Sequence, residues 1–169
     1  MEKKHIELRL AQMQAEGTRF RAGVEIGVDI SWSDLKSRYD AVIVATGATV
    51  PRDLPVPGRD LLGVHGVHFA MEYLVQANKA GAGDTVAEQI SAEGKHVVVL
   101  GGGDTGSDCI GTSHRQQALS VTNLAIGIQP PAERPEHQPW PMAPALFEVS
   151  SAHEEGGERV YLASTVEFL

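Results

Sequence analysis

The sequence contains one cysteine, Cys109, in 169 residues. That scarcity excludes an internal disulfide, and it excludes an iron–sulfur cluster held by several thiolates of this chain. Basic residues are also few, 14 against 22 acidic, for a net charge of -8. No basic cluster is long enough to track a phosphate backbone, so nucleic acid is not an expected partner. Nowhere does an apolar run approach the length of a membrane span, and the start, "MEKKHIELRLAQMQAEG", lacks the apolar core of a signal peptide. A soluble protein in a reducing, cytoplasmic setting is the expectation. No serine lies in a nucleophile-elbow sequence, and the seven histidines show no established metal spacing; His65 and His68 could chelate only on a helix.

Glycine and proline, by contrast, are plentiful and unevenly placed, with six of the nine prolines falling between residues 129 and 144. That segment must be an extended loop, because neither a helix nor a central strand passes through such a run. A second cluster, Pro51, Pro55 and Pro57, marks a connector and a domain boundary near residue 57.

Between these punctuation marks the patterning alternates. Ile6, Leu10 and Met13 recur at helical spacing before Gly17, predicting an amphipathic helix over 2–16. Short runs at 18–23 and 24–30 predict strands, and "SWSDLKSRY" (31–39) a short capped helix. "DAVIVATGA" (40–48) reads as a buried parallel strand opening into a loop. A helix is expected over 67–78, a polar surface loop with some helical content over 79–94, and another polar loop over 150–159.

The densest signal is "VVVLGGGDTGSDCIGTSHR" (97–115), an apolar strand running into glycines and then a helix over 105–118, with a second strand at 119–126. Gly101, Gly103 and Gly106 fit G-x-G-x-x-G inside a strand–helix–strand unit. The first glycine suits a tight turn, the second a close approach of backbone to a diphosphate, the third close helix–strand packing. Gly102, Asp104 and Thr105 complete the loop. A ligand-free turn is the alternative reading. Asn123, Leu124 and Ala125 end the second strand and carry neither the acidic residue suited to NAD nor an arginine suited to NADP, so the choice of nucleotide stays open. Arg115 and Arg134 could reach a phosphate or be merely solvated. Asp108 serves the helix dipole, Asp104 shapes the loop, and Cys109 is a packed, inert thiol.

Taken in order, "YDAVIVATGATVPRDLPVPGRDLLGV", "HFAMEYL", "GKHVVVLGGGDTGSDCIGTSHRQ", "PPAERPEHQPWP" and "SSAHEEG" resemble the small-subunit family of glutamate synthase and its pyridine-nucleotide-dependent oxidoreductase relatives. The resemblance implies an α/β fold: a Rossmann-like parallel sheet binding NAD(P)H over residues 58–169, C-terminally incomplete, and a partial FAD-binding segment over 1–57. It matches Ala45, Thr46 and Gly47 to the family's ATG motif, near FAD and the nicotinamide, and Gly101–Gly106 to its NAD(P)H phosphate loop. It implies electron transfer from NAD(P)H through FAD to a large subunit that makes glutamate from 2-oxoglutarate and glutamine. By itself this middle segment is expected to bind a nicotinamide dinucleotide weakly or not at all, and not to turn over. Gln117 replaces the glycine that usually ends the helix, which requires a left-handed backbone if the turn is kept; Ala125 replaces a frequent charge. A related flavoprotein with another acceptor, a non-catalytic interaction protein and a free-standing nucleotide-binding module are the alternatives.

Overall fold

The computed structural model describes residues 3–48, 50–59 and 66–169. The chain divides into two compact units, residues 1–48 and 49–169, and the proline connector stands at the start of the second. His65 of the candidate His65–His68 pair lies outside the described residues.

In the first unit, helix α1 (Lys3–Ala15) forms where the apolar spacing places it, yet none of its residues is buried. It closes in a Schellman turn, with Gly17 N–H donating to Gln14 O (3.0 Å), Thr18 N–H to Met13 O (2.9 Å), and Gly17 at φ +102°. Helix α2 (Trp32–Arg38) is capped by Ser31, whose hydroxyl accepts from the Asp34 amide at 3.1 Å. The strands expected over 18–23 and 24–30 do not form; a single bridge joins Ile26 to Ile30. Nor does 40–48 form a strand, and Ile43 is 89% exposed. A β-prone run becomes a strand only when a neighbour takes its backbone groups, and among the described residues this unit supplies no strand to pair with it.

The second unit is an α/β layer. Strands β1 (His96–Leu100), β2 (Ser120–Leu124) and β3 (Glu158–Val160) form one parallel sheet in the order β1-β2-β3. His96 lies opposite Ser120 and Leu100 opposite Leu124, while Thr122 pairs with Glu158 and Leu124 with Val160. Helices α3 (Ala70–Gly81), α4 (Asp104–Arg115) and the short α5 (Ser151–Glu154) complete the unit, α4 packing against α3, α5, β1 and β2. The β1–α4–β2 connection is the crossover that parallel pairing requires. Part of the polar loop expected over 150–159 is therefore ordered structure. Ser150 caps α5 through its backbone, and Glu158 and Arg159 open β3.

The core lies between sheet and helices: Val99 and Val121 from the strands, Cys109 and Ile110 from α4, Tyr73 from α3, and Ala92. Ile110 is 2% exposed, and burying such a side chain contributes about 1.5–3 kcal/mol. The other face of β1 is open, with Val98 59% and Leu100 42% exposed. At its far end α4 also closes in a Schellman turn, with Gln117 N–H donating to His114 O (2.9 Å) and Ala118 N–H to Ser113 O (3.1 Å). Gln117 sits at φ +65°, the left-handed conformation that the helix stop demands of it. The segment 129–144 contains neither helix nor strand. Among the described residues no helix is long and apolar enough to cross a membrane.

Candidate functional site

The loop Gly101–Gly106 joins the carboxyl end of β1 to the first turn of α4. Gly101 turns the chain at φ +119°, a conformation that side chains other than glycine's rarely allow. Its N–H donates to Leu124 O at 2.9 Å, extending the ladder one step past β1. Gly103 caps α4 in extended conformation, and a Cβ added there would meet nothing within 4 Å. Gly106 is different, because its Cβ would stand 2.5 Å from Gly101 O and 3.6 Å from Val99 Cγ1. The three glycines thus turn the loop, leave an open surface at the helix start, and let the helix close on the strand. First-turn amides of a helix lack intrahelical acceptors and carry a partial positive charge, the chemistry that suits an anion.

Asp104 and Thr105 begin α4 and are exposed. Asp104 does not brace the loop, since its carboxylate bonds no loop amide among the described residues; it sits where a negative side chain complements the helix dipole. Arg115 ends α4, about 16 Å from the loop at 1.5 Å per residue, and its guanidinium pairs with Glu155. It braces α5 against α4 and is not brought to the loop. Arg134 is spent inside the proline segment, donating to Gln138 O (2.8 Å) and Met142 O (2.9 Å). Ala45, Thr46 and Gly47 belong to the first unit, exposed, with Gly47 at φ +71°. Ala125 follows β2 and touches the loop from below, its methyl 3.1 Å from where a Cβ on Gly102 would be.

Sequence reasoning missed one polar group that supports the loop and another at the far end of α4. Asn123 is 3% exposed on β2, and its side-chain nitrogen donates to Val99 O (3.1 Å) and Gly101 O (2.7 Å). The only sequence signal was a polar residue in the middle of an apolar strand. Behind α4, Gln116 Oε1 accepts from both Tyr73 OH and the Ala92 amide, each at 2.9 Å, while Ser113, fully buried, donates to Cys109 O at 2.7 Å. Burial raises the Tyr73 phenol above its usual range, against the opposing hydrogen bond from Ser113. Burial, with Asp108 alongside, pushes the Cys109 thiol up to about 11, so the cysteine is a packed thiol at neutral pH. Among the described residues no group of three or more His, Cys, Asp or Glu is placed to hold a metal ion.

The chain can be set beside known proteins. It is 52% identical over its whole length to the glutamate synthase [NADPH] small chain of Mycobacterium tuberculosis strain H37Rv, covering 35% of that protein. It is 42% identical over 92% of its length to the glutamate synthase [NADPH] small chain of Bacillus subtilis, covering 31% of it. The glutamate synthase [NADH] of Schizosaccharomyces pombe matches 92% of the chain at 46% identity, with 7% of that larger protein covered. The chain therefore spans about a third of the length of the bacterial small chains it matches. Residues 4–134 match the family model described as pyridine nucleotide-disulphide oxidoreductase. With a parallel α/β sheet, a glycine loop between β1 and α4, and a family match across most of its length, the chain belongs to the pyridine nucleotide-disulphide oxidoreductase family.

Proposed function

We propose that residues 58–169 are the NAD(P)H-binding part of a glutamate synthase small chain, and that Gly101–Gly106 holds the diphosphate of the nicotinamide dinucleotide. The observation that carries this reading is the contrast between two glycines: a Cβ at Gly106 would collide with Gly101 O, whereas a Cβ at Gly103 meets only open space. Packing explains the first glycine. The second faces a cradle that a side chain would fill, which is the role of a residue that lets a ligand come close.

The amides of the first turn, together with Thr105, would hold the anion; Gly101 and Gly106 would fix their direction. When bound, the nicotinamide supplies a hydride. Ala125 packs against Gly102 and carries no charge, so selection between NADH and NADPH would fall to other groups. Residues 1–57 would belong to an FAD-binding domain, with Ala45–Gly47 at its edge. That run is exposed backbone here and offers no enclosed flavin surface, so the flavin belongs to the reading of the whole protein. That protein would be an NAD(P)H-dependent flavoprotein oxidoreductase passing electrons via FAD toward a large subunit that forms glutamate from 2-oxoglutarate and glutamine.

The test is a backbone-amide NMR titration of the 169-residue chain with NADPH and NADH at millimolar concentration. Saturable shifts centred on Gly101–Gly106 are expected. Shifts absent, or centred on the far end of α4, would contradict the reading.

A further inference from the structure

We infer that Asn123 is a positioning residue for the dinucleotide, acting through the backbone of Gly101; the inference rests on the nucleotide-binding reading above. Asn123 lies on β2 opposite Val99 and is 3% exposed. Both its partners are carbonyl oxygens, Val99 O at 3.1 Å and Gly101 O at 2.7 Å, so its amide nitrogen must face them. Gly101 is thereby held twice by β2, through its N–H on Leu124 O and its carbonyl on Asn123.

The same carbonyl is the atom against which α4 is seated, since it stands 2.5 Å from the Cβ position of Gly106. One oxygen therefore lies between the Asn123 amide and the first turn of the helix. Drawing it inward lets α4 close on β1 and aims the amides of residues 103–106 outward. Releasing it removes the side-chain tie between β2 and the loop and frees the helix start to shift.

Asn123→Asp keeps the shape and removes the donor. An ionised carboxylate would face two carbonyls in a buried site, so its neutral form is favoured, and that form donates once. Of the charged or titratable groups on the neighbouring elements, Arg159 is in register on β3, but its guanidinium donates to Glu148 O at 3.0 Å and lies over the Phe147 and Tyr161 rings. Asp104, Asp108 and Arg115 on α4, His96 on β1 and Glu158 on β3 are exposed, while His114 is partly buried and Cys109 buried on α4.

The experiment titrates NADPH into the 169-residue chain and its Asn123→Asp variant from pH 5.5 to 8.5, alongside thermal melts and hydrogen exchange of the wild-type Asn123 side-chain amide. At pH 8 the variant is expected to bind about tenfold more weakly or worse, and the ratio to wild type should close as pH falls and the carboxyl regains its proton. The wild-type amide should exchange slowly, and more slowly with NADPH bound. Equal affinities at pH 8, or a loss that is the same at every pH and accompanied only by a lower melting temperature, would overturn the inference. Should the variant fail to fold, the wild-type exchange decides: protection unchanged by NADPH overturns it. A wild-type chain that binds no NADPH overturns the nucleotide reading itself, which is a distinguishable failure.

Discussion

Substituting Gly106 and Gly103 in turn with alanine separates packing from function within one loop. At Gly106 the added methyl would sit 2.5 Å from Gly101 O, and relief requires helix and loop to part by several tenths of an ångström. Gly101 O cannot retreat freely, because Asn123 holds it at 2.7 Å. Overpacking of this kind costs about 1–3 kcal/mol, against a helix-propensity gain of about 1 kcal/mol for alanine over glycine. Gly106→Ala should therefore lose up to about 2 kcal/mol, toward the upper end because the 2.5 Å contact is with a backbone oxygen. At Gly103 the backbone has φ -89° and ψ -178°, open to any residue, and no atom lies within 4 Å of the new methyl. A poorer cap costs a few tenths to about 1 kcal/mol, offset by about 0.4–1 kcal/mol from the less flexible unfolded chain. The net change should be near zero. Urea denaturation followed by circular dichroism measures both. Equal losses at the two positions, or a neutral Gly106→Ala, would refute the assignment of packing to one glycine and ligand clearance to the other.

Further outcomes follow from the same geometry. Gln117→Gly should raise stability by about 0.5–1 kcal/mol in the same assay, because a left-handed backbone costs any other residue about 1–2 kcal/mol and glycine little. Cys109 should react with a thiol reagent at pH 8 at least about a hundredfold more slowly in the native chain than in denaturant, since it is buried with its thiol up at about 11. His153 is held below its ordinary 6.5, by burial first and by Arg159 second. A depressed folded value means that the unfolded chain takes the proton first, so stability is full above pH 6.5 and declines as pH falls below it. His153→Gln should flatten that part of a stability–pH profile.

The second unit was legible because its signals are local and agree with one another. An apolar strand, a glycine loop, a helix and a second strand follow in order, and the pairing of β1 with β2 closes within thirty residues. Gln117 is the sharpest case, since a helix stop without glycine implied the left-handed backbone that is present at φ +65°. What failed was nonlocal. "DAVIVATGA" has a strand's composition, but pairing is decided by a neighbour, and the described part of its unit has none. The "SSAHEEGGER" stretch reads as a polar loop, yet it folds as α5 and the start of β3, because contact with α4 and pairing with β2 override its composition. Arg115 looked available for a phosphate on charge alone. Its position at the opposite end of α4, paired with Glu155, depends on a helix forty residues on in the sequence. Asn123 shows the same limit at the candidate site: composition says only that the side chain lacks a charge, while its bonds to Val99 O and Gly101 O depend on the register of β1 against β2.

The most direct test of the central claim is calorimetric titration of NADPH into the 169-residue chain and its Gly103→Leu variant, with thermal melts of both. A Cβ at Gly103 would meet no protein atom within 4 Å beyond its chain neighbours, and the leucine side chain built on it would occupy the place of the diphosphate. Saturable binding by the wild type, lost in a variant that melts at the same temperature, is the predicted result. Binding retained by a folded Gly103→Leu chain would contradict it.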